Sequence, residues 1–248
     1  MTIKEQVDTL MDQNQALKAW DLVKDTPGEL HDQVWVKVKH AFDKDAYLDF
    51  YGKHDDENPL PMELSLDCTK MNTRMLWLVT RIVEQGQRRV MDLGCADGYL
   101  DLTLARYGHL CYGVNLQKKS VAIANYRAFL TRLPAYFEVK DIFDVTGEYD
   151  AVVLAEVLEH LPNPEAAIAF AFLLVRPGGS LYLTTPRHDH EGIRQHLAEK
   201  DRLPWDDGKP AGHLRLWTEE EFKNMLKAYN IVQFLVDDMR NMLVEIKR

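Results

Sequence analysis

A chain of 248 residues is long enough to bury a sizeable core as one large domain with an extension. With 46% hydrophobic and 28% charged residues, its composition excludes wholesale disorder, collagen-like repeats and a disulfide scaffold. Thirty Lys and Arg against 39 Asp and Glu leave a formal charge of −9, a field that repels phosphates and makes nucleic acid an unlikely partner. The three cysteines, Cys68, Cys95 and Cys111, form no C-x-x-C pair, which suits reduced thiols in the cytoplasm. The polar start is unlike a signal peptide, and the longest apolar run, 166–175, falls short of the roughly 20 residues of a membrane span.

Residues 1–86 read as a helical N-terminal extension. Ile3, Val7, Leu10 and Leu17 share one helical face, as do Met71, Met75, Leu78 and Ile82, with Gly86 as a stop. Between them, Leu30, Val34, Val38 and Phe42 suit a helix while Val34, Val36 and Val38 suit a strand. Charged, proline-containing 52–61 reads as a loop that could cover a pocket or as a plain linker.

From 87 to 248 the pattern is that of an α/β domain. Short apolar runs at 89–93, 110–114, 136–139, 151–155 and 180–184 alternate with helical stretches at 97–107, 118–132 and 164–175. Such alternation predicts a doubly wound, mostly parallel sheet. A long polar stretch follows at 186–216, then a Thr218-x-x-Glu221 capping box opening a helix, then two strands, 231–236 and 242–246, close enough for an antiparallel hairpin.

The most informative segment is Asp92-Leu93-Gly94-Cys95-Ala96-Asp97-Gly98, a strand end running into a glycine turn and then a helix. A dinucleotide site would want glycine at 96, and the Lys-Ser/Thr pair of a P-loop is missing, so pyrophosphate-cradling readings weaken. The glycine spacing, Lys140-Asp141-Ile142 after the third strand, Glu156-Val157-Leu158-Glu159-His160-Leu161-Pro162 after the fourth and Arg176-Pro177-Gly178-Gly179 before the fifth resemble class I S-adenosylmethionine-dependent methyltransferases. The ubiquinone-pathway O-methyltransferase branch is the nearest likeness. This resemblance implies a Rossmann-like fold and S-adenosylmethionine as cofactor, with S-adenosylhomocysteine as product. It assigns Asp92, Gly94, Cys95 and Gly98 to the methionyl part, Asn115 to the ribose, Asp141 and Ile142 to adenine, and Leu116 and Ala155 to the cofactor site. Asn115 stands where the family usually has an acidic residue, so the ribose would lose an ionised acceptor.

On the acceptor side, Glu156, Glu159 and His160 fall at i, i+3 and i+4 and would share one face of a helical turn. His160, supported by Glu159, is the expected general base. With His213, before Trp217-Thr218, the same residues could hold a divalent metal, as the resemblance to methyltransferases of RNA 2′-hydroxyls would also imply. Residues 186–216 balance six basic against six acidic side chains, so a small-molecule or glycan-like acceptor is favoured over RNA. A non-catalytic relative that keeps the cofactor pocket as a binding partner is the reading from another class.

Overall fold

The computed structural model describes residues 2–12, 22, 71–161, 163–187, 215, 217–238 and 240–248. The chain divides into two compact units, Met1–Lys53 and His54–Arg248. In the first, α1 (Ile3–Asp12) opens with a reciprocal cap. The Glu5 amide donates to the Thr2 hydroxyl at 3.2 Å and the Thr2 amide to the Glu5 carboxylate at 2.7 Å. The expectations for Leu17, for the 30–42 segment and for the 52–61 loop lie outside the described residues.

The second unit begins with α2 (Thr73–Glu84), where the Asn72 side chain accepts from the Met75 amide at 2.9 Å and Gly86 takes φ +63° just past the end. Leu78, Val79 and Ile82 of this helix, which lies ahead of the 86/87 boundary, are buried in the same cluster as Val90, Cys111 and Phe137 of the sheet. Then follow β1 (Arg89–Leu93), α3 (Tyr99–Arg106), β2 (Leu110–Asn115), α4 (Lys118–Thr131), β3 (Ala135–Val139), β4 (Tyr149–Ala155), α5 (Pro164–Leu174), β5 (Val175–Pro186), α6 (Glu219–Leu226), β6 (Asn230–Val236) and β7 (Asn241–Lys247). They form a seven-stranded sheet of order β3-β2-β1-β4-β5-β7-β6. The first five strands are parallel and β7 runs antiparallel between β5 and β6. This is the doubly wound sheet with a C-terminal antiparallel hairpin that the alternation predicts.

Alternation along each strand sorts side chains to two faces. Val90, Cys111, Phe137 and Tyr182 pack with α2, α3 and α4, while Met91, Leu93, Val114 and Leu181 pack with α5 and α6. Only a 3-10 turn, Ile142–Asp144, joins β3 to β4. The sheet face there keeps a cleft of about 420 Å³ walled by Tyr112, Tyr136 and Tyr149, with the Tyr112 and Tyr136 rings stacked at 5.7 Å.

Two buried carboxylates fix the sheet's amino-terminal half. Asp150 Oδ2 accepts from the Arg88 and Arg89 amides at 2.7 and 2.9 Å and its Oδ1 meets Arg176 at 2.6 Å, tying β1 to β4. Glu245 of β7 accepts from Arg81 of α2, from Gln85 just past its end and from Ser180 of β5. α5 runs directly into β5, and Pro177, Gly178 and Gly179 sit in a register shift inside that strand, with Gly178 at φ +80°. The amide of Gly178 finds its acceptor on Arg248.

Candidate active site

Strand order reverses between β1 and β4, so their carboxyl ends open the crevice where open α/β sheets bind ligands. The glycine turn fills one side of it. Gly94 at φ +102° and Gly98 at φ +75° occupy backbone conformations that side chains resist, and a Cβ on Gly98 would sit 2.6 Å from the Phe137 ring and 2.9 Å from Ala124 Cβ. A Cβ on Gly94 would collide with Val157 of the β4 loop, so this glycine permits protein packing as well as ligand approach. Between them Ala96 takes φ +46°, a strain of order 1–3 kcal/mol for a residue other than glycine. What holds it is a clamp. Arg127 of α4, itself 3% exposed, bonds both the backbone carbonyl and the carboxylate of Asp97, while the Gly94 and Cys95 amides donate to Val114 of β2.

Polar side chains stand at the ends of the neighbouring strands. Asn115 Oδ1 accepts from the Gln117 amide at 2.9 Å, which leaves its amide N–H groups to face a ligand. Asp141 Oδ1 accepts from the Phe143 amide and so caps the turn carrying Ile142. Asp92 is 4% exposed and lies in hydrogen-bond reach of Asp101 on α3, with burial pushing the Asp92 carboxyl above its ordinary value. Cys95 is a buried free thiol beside the same pair, and burial, then the charges of Asp101 and Asp92, push it up. Ala155 is half-buried at the end of β4, and Leu116 follows β2 at the same edge.

Past β4 the structure overturns the expected helical turn. Glu156 takes φ +55°, and the 3-10 turn begins only at Leu158 and ends at His160. The i, i+3, i+4 relation therefore does not place the three side chains on one face. Glu156 pairs with Arg74 of α2 at 2.7 Å and accepts from Thr184 at 3.0 Å, while Glu159 accepts from Thr185 at 3.1 Å. Thr184 and Thr185 are neighbours on β5, so the two carboxylates are held from successive positions of that strand. Glu159 is fully buried, and its carboxyl is pushed up to about 8 by burial first and by Glu156 second. His160 Nε2 lies 4.0 Å from Glu159 Oε1.

The expected metal set of Glu156, Glu159, His160 and His213 is not assembled by these residues. Glu156 is engaged by Arg74 and Thr184 and one oxygen of Glu159 by Thr185, no three His, Cys, Asp or Glu side chains group for a metal among the described residues, and His213 lies outside them. The flanks of the segment outside the described residues are fixed at this end of the sheet. Arg187 forms a parallel bridge with Trp217, and the Arg215 amide donates to the Glu159 carbonyl at 3.0 Å. Sequence patterning missed Arg74, Asp101, Arg127, Thr184 and Thr185. Only Thr184 and Thr185 carried a signal, as polar residues ending an apolar strand.

The profile of a family described as "Methyltransferase domain" matches residues 69–232. The chain belongs to the class I S-adenosylmethionine-dependent methyltransferases. This methyltransferase chain is 32% identical over 119 residues to the ubiquinone biosynthesis O-methyltransferase of Xanthomonas oryzae pv. oryzae, covering 46% of its own length and 50% of that protein. It is 30% identical over 120 residues to the Chromobacterium violaceum protein of the same name, covering 47% and 52%. It thus spans about half the length of the curated relatives it matches. Among solved structures, magnesium protoporphyrin IX methyltransferase from Synechocystis PCC 6803 with bound S-adenosylhomocysteine shares the fold at TM-score 0.58 and 19% identity, over 88% of this chain and 100% of that one.

Proposed function

We propose that this chain is an S-adenosylmethionine-dependent methyltransferase acting on a hydroxyl oxygen of a small-molecule or glycan-like acceptor in the cytoplasm. The observation that carries the cofactor reading is the row of Asp92, Asn115 and Asp141 at three adjacent strand ends beside a clamped glycine turn. That donor set fits a cationic, ribose-bearing adenine ligand. The buried carboxyl of Asp92 favours positive charge, the free N–H groups of Asn115 suit a ribose hydroxyl, and Asp141 accepts from an adenine amino group while Ile142 packs on the ring. Leu116, Cys95 and Ala155 complete the walls. When bound, the cofactor supplies an electrophilic methyl group on its sulfonium.

Support for oxygen as the methylated atom comes from Glu159 and His160 and from the O-methyltransferase relatives. His160 takes the hydroxyl proton as the acceptor attacks, and the Glu159 carboxylate, ionised above about pH 8, steadies the imidazolium that forms. Alignment and exclusion of water supply the rest of the rate. This proton transfer rests on His160 and Glu159 alone. The free buried thiols Cys95 and Cys111 suit a reducing compartment, and no helix among the described residues is long and apolar enough to cross a membrane.

The test is release of S-adenosylhomocysteine from S-adenosylmethionine in the presence of phenols, catechols and sugars. Release with a hydroxylated acceptor, and none with its methyl ether, supports the reading. Tight cofactor binding without release on any acceptor would assign the chain to the non-catalytic, cofactor-binding class instead.

A further inference from the structure

Asp101 plays no part in the chemistry proposed above, yet it is wholly buried in the first turn of α3, directly beyond the glycine turn. An aspartate there ordinarily faces water and complements the helix dipole. This one turns inward to Asp92. Two ionised carboxylates offer only acceptors, so a hydrogen bond between them requires a shared proton. Among the described residues, Asp92 Oδ1 and both Asp101 carboxyl oxygens are buried with no donor supplied to them, so a proton of their own is what neutralises the pair.

Among the described residues, the surroundings hold no compensating cation. β2 contributes the Cys111 thiol and the turn the Cys95 thiol, both pushed up by burial and so uncharged. Asp97, the remaining acid of the turn, is neutralised by Arg127 of α4. β4 places Val153 beside Asp92 in the ladder, and Tyr182 of β5 beyond it is pushed up by burial and stays neutral. α2 adds buried apolar side chains, while its Arg74 and Arg81 are engaged by Glu156 and Glu245. The pair therefore carries one proton or two near neutral pH, and burial displaces loss of the second well above the ordinary carboxylate range of about 4.

We propose that Asp101, by sharing a proton with Asp92 behind the glycine turn, makes the site's preference for the cationic sulfonium cofactor over its uncharged thioether product depend on pH. This inference rests on the cofactor reading above. S-adenosylmethionine and S-adenosylhomocysteine differ by one methyl group and one positive charge at sulfur. The positive charge favours the singly protonated, anionic pair, so the cofactor binds with release of a proton to solvent. After transfer the sulfur is neutral, the attraction is gone, the pair regains its proton and the product leaves more readily. Asp101 touches no substrate in this account and is a positioning residue that sets the charge of Asp92.

The experiment is calorimetric titration of the full chain with each ligand from about pH 5.5 to about pH 8.5, spanning both sides of the displaced titration. Each titration is repeated in buffers of different ionisation heat, so that protons are counted directly. For the wild type, S-adenosylmethionine should release a measurable fraction of a proton and S-adenosylhomocysteine almost none, and preference for the former should rise at least about fivefold across the range, the low end of typical couplings. In Asp101→Asn the amide donates permanently to an ionised Asp92, and the preference should become flat with pH. A wild-type preference that does not change with pH while both ligands bind overturns the inference and leaves the cofactor reading standing. Failure of both ligands to bind overturns the cofactor reading and the inference with it. The wild-type comparison decides the matter even where the variant does not fold.

Discussion

The glycine turn and the loop after β4 face each other across one crevice, and they are built on opposite principles. At the turn, strained backbone is pinned by buried charge: Ala96 at φ +46° is held through Asp97 by Arg127. After β4, Glu156 at φ +55° is held by a partly buried arginine and a threonine, and the chain then relaxes into a single 3-10 turn. The first region is over-determined, which suits the cofactor cradle proposed for it. The second is tied down at isolated points, which suits a place where acceptors differ among relatives with a shared fold.

The largest effect expected from breaking this contrast is at Gly98. A Gly98→Val side chain would enter the Phe137 ring from a positive-φ position, so S-adenosylhomocysteine binding should fall below calorimetric detection, with thermal stability reduced. Retained affinity in a folded variant would show that the turn is not the cradle. Next comes His160→Ala, which should lower turnover about 100-fold or more on the true acceptor while leaving cofactor affinity unchanged. Full activity would leave alignment as the main source of rate.

A smaller effect should follow from Glu159→Gln. With the wild-type carboxyl pushed up to about 8, kcat/KM should climb through that pH as Glu159 ionises, and the climb should vanish in the variant. The same group sets a stability trend. Because its folded value lies above the ordinary carboxylate value, the proton is held more tightly in the folded state, so the stabilisation is full in acid and lost as pH rises through about 8. Melting temperature should therefore fall from about pH 6 to about pH 9 in the wild type and fall less in Glu159→Gln, by a few degrees. Equal slopes would place the Glu159 proton elsewhere.

The contrast also explains what could be read in the sequence. A glycine turn is a local instruction, since positive φ at Gly94 and Gly98 demands glycine whatever surrounds it, and the strands around it announce themselves by apolar runs. The capping box at Thr218 and Glu221 is local in the same way and is present as expected. Glu156, Glu159 and His160 were legible as residues but not as a shape, because five residues cannot distinguish an α-turn from a left-handed break followed by a 3-10 turn. Partners from distant segments left no trace. Arg74 lies four strands ahead of Glu156, Arg127 reads as an exposed arginine in mid-helix, and Asp101 reads as an ordinary acidic residue of a first turn until its burial is seen.

The central claim, that the cofactor lies along the carboxyl ends of β1, β2 and β3 and not in the tyrosine-walled cleft on the sheet face, is tested most directly by one calorimetric comparison. S-adenosylhomocysteine is titrated into the wild type, Asn115→Leu and Tyr136→Ala. Asn115 offers N–H groups at the strand end, whereas Tyr136 lines only the cleft. The account predicts a single site in the wild type, a loss of about 1–3 kcal/mol in Asn115→Leu from the unpaired ribose hydroxyl, and no change in Tyr136→Ala. Unchanged binding in Asn115→Leu together with loss in Tyr136→Ala would contradict it.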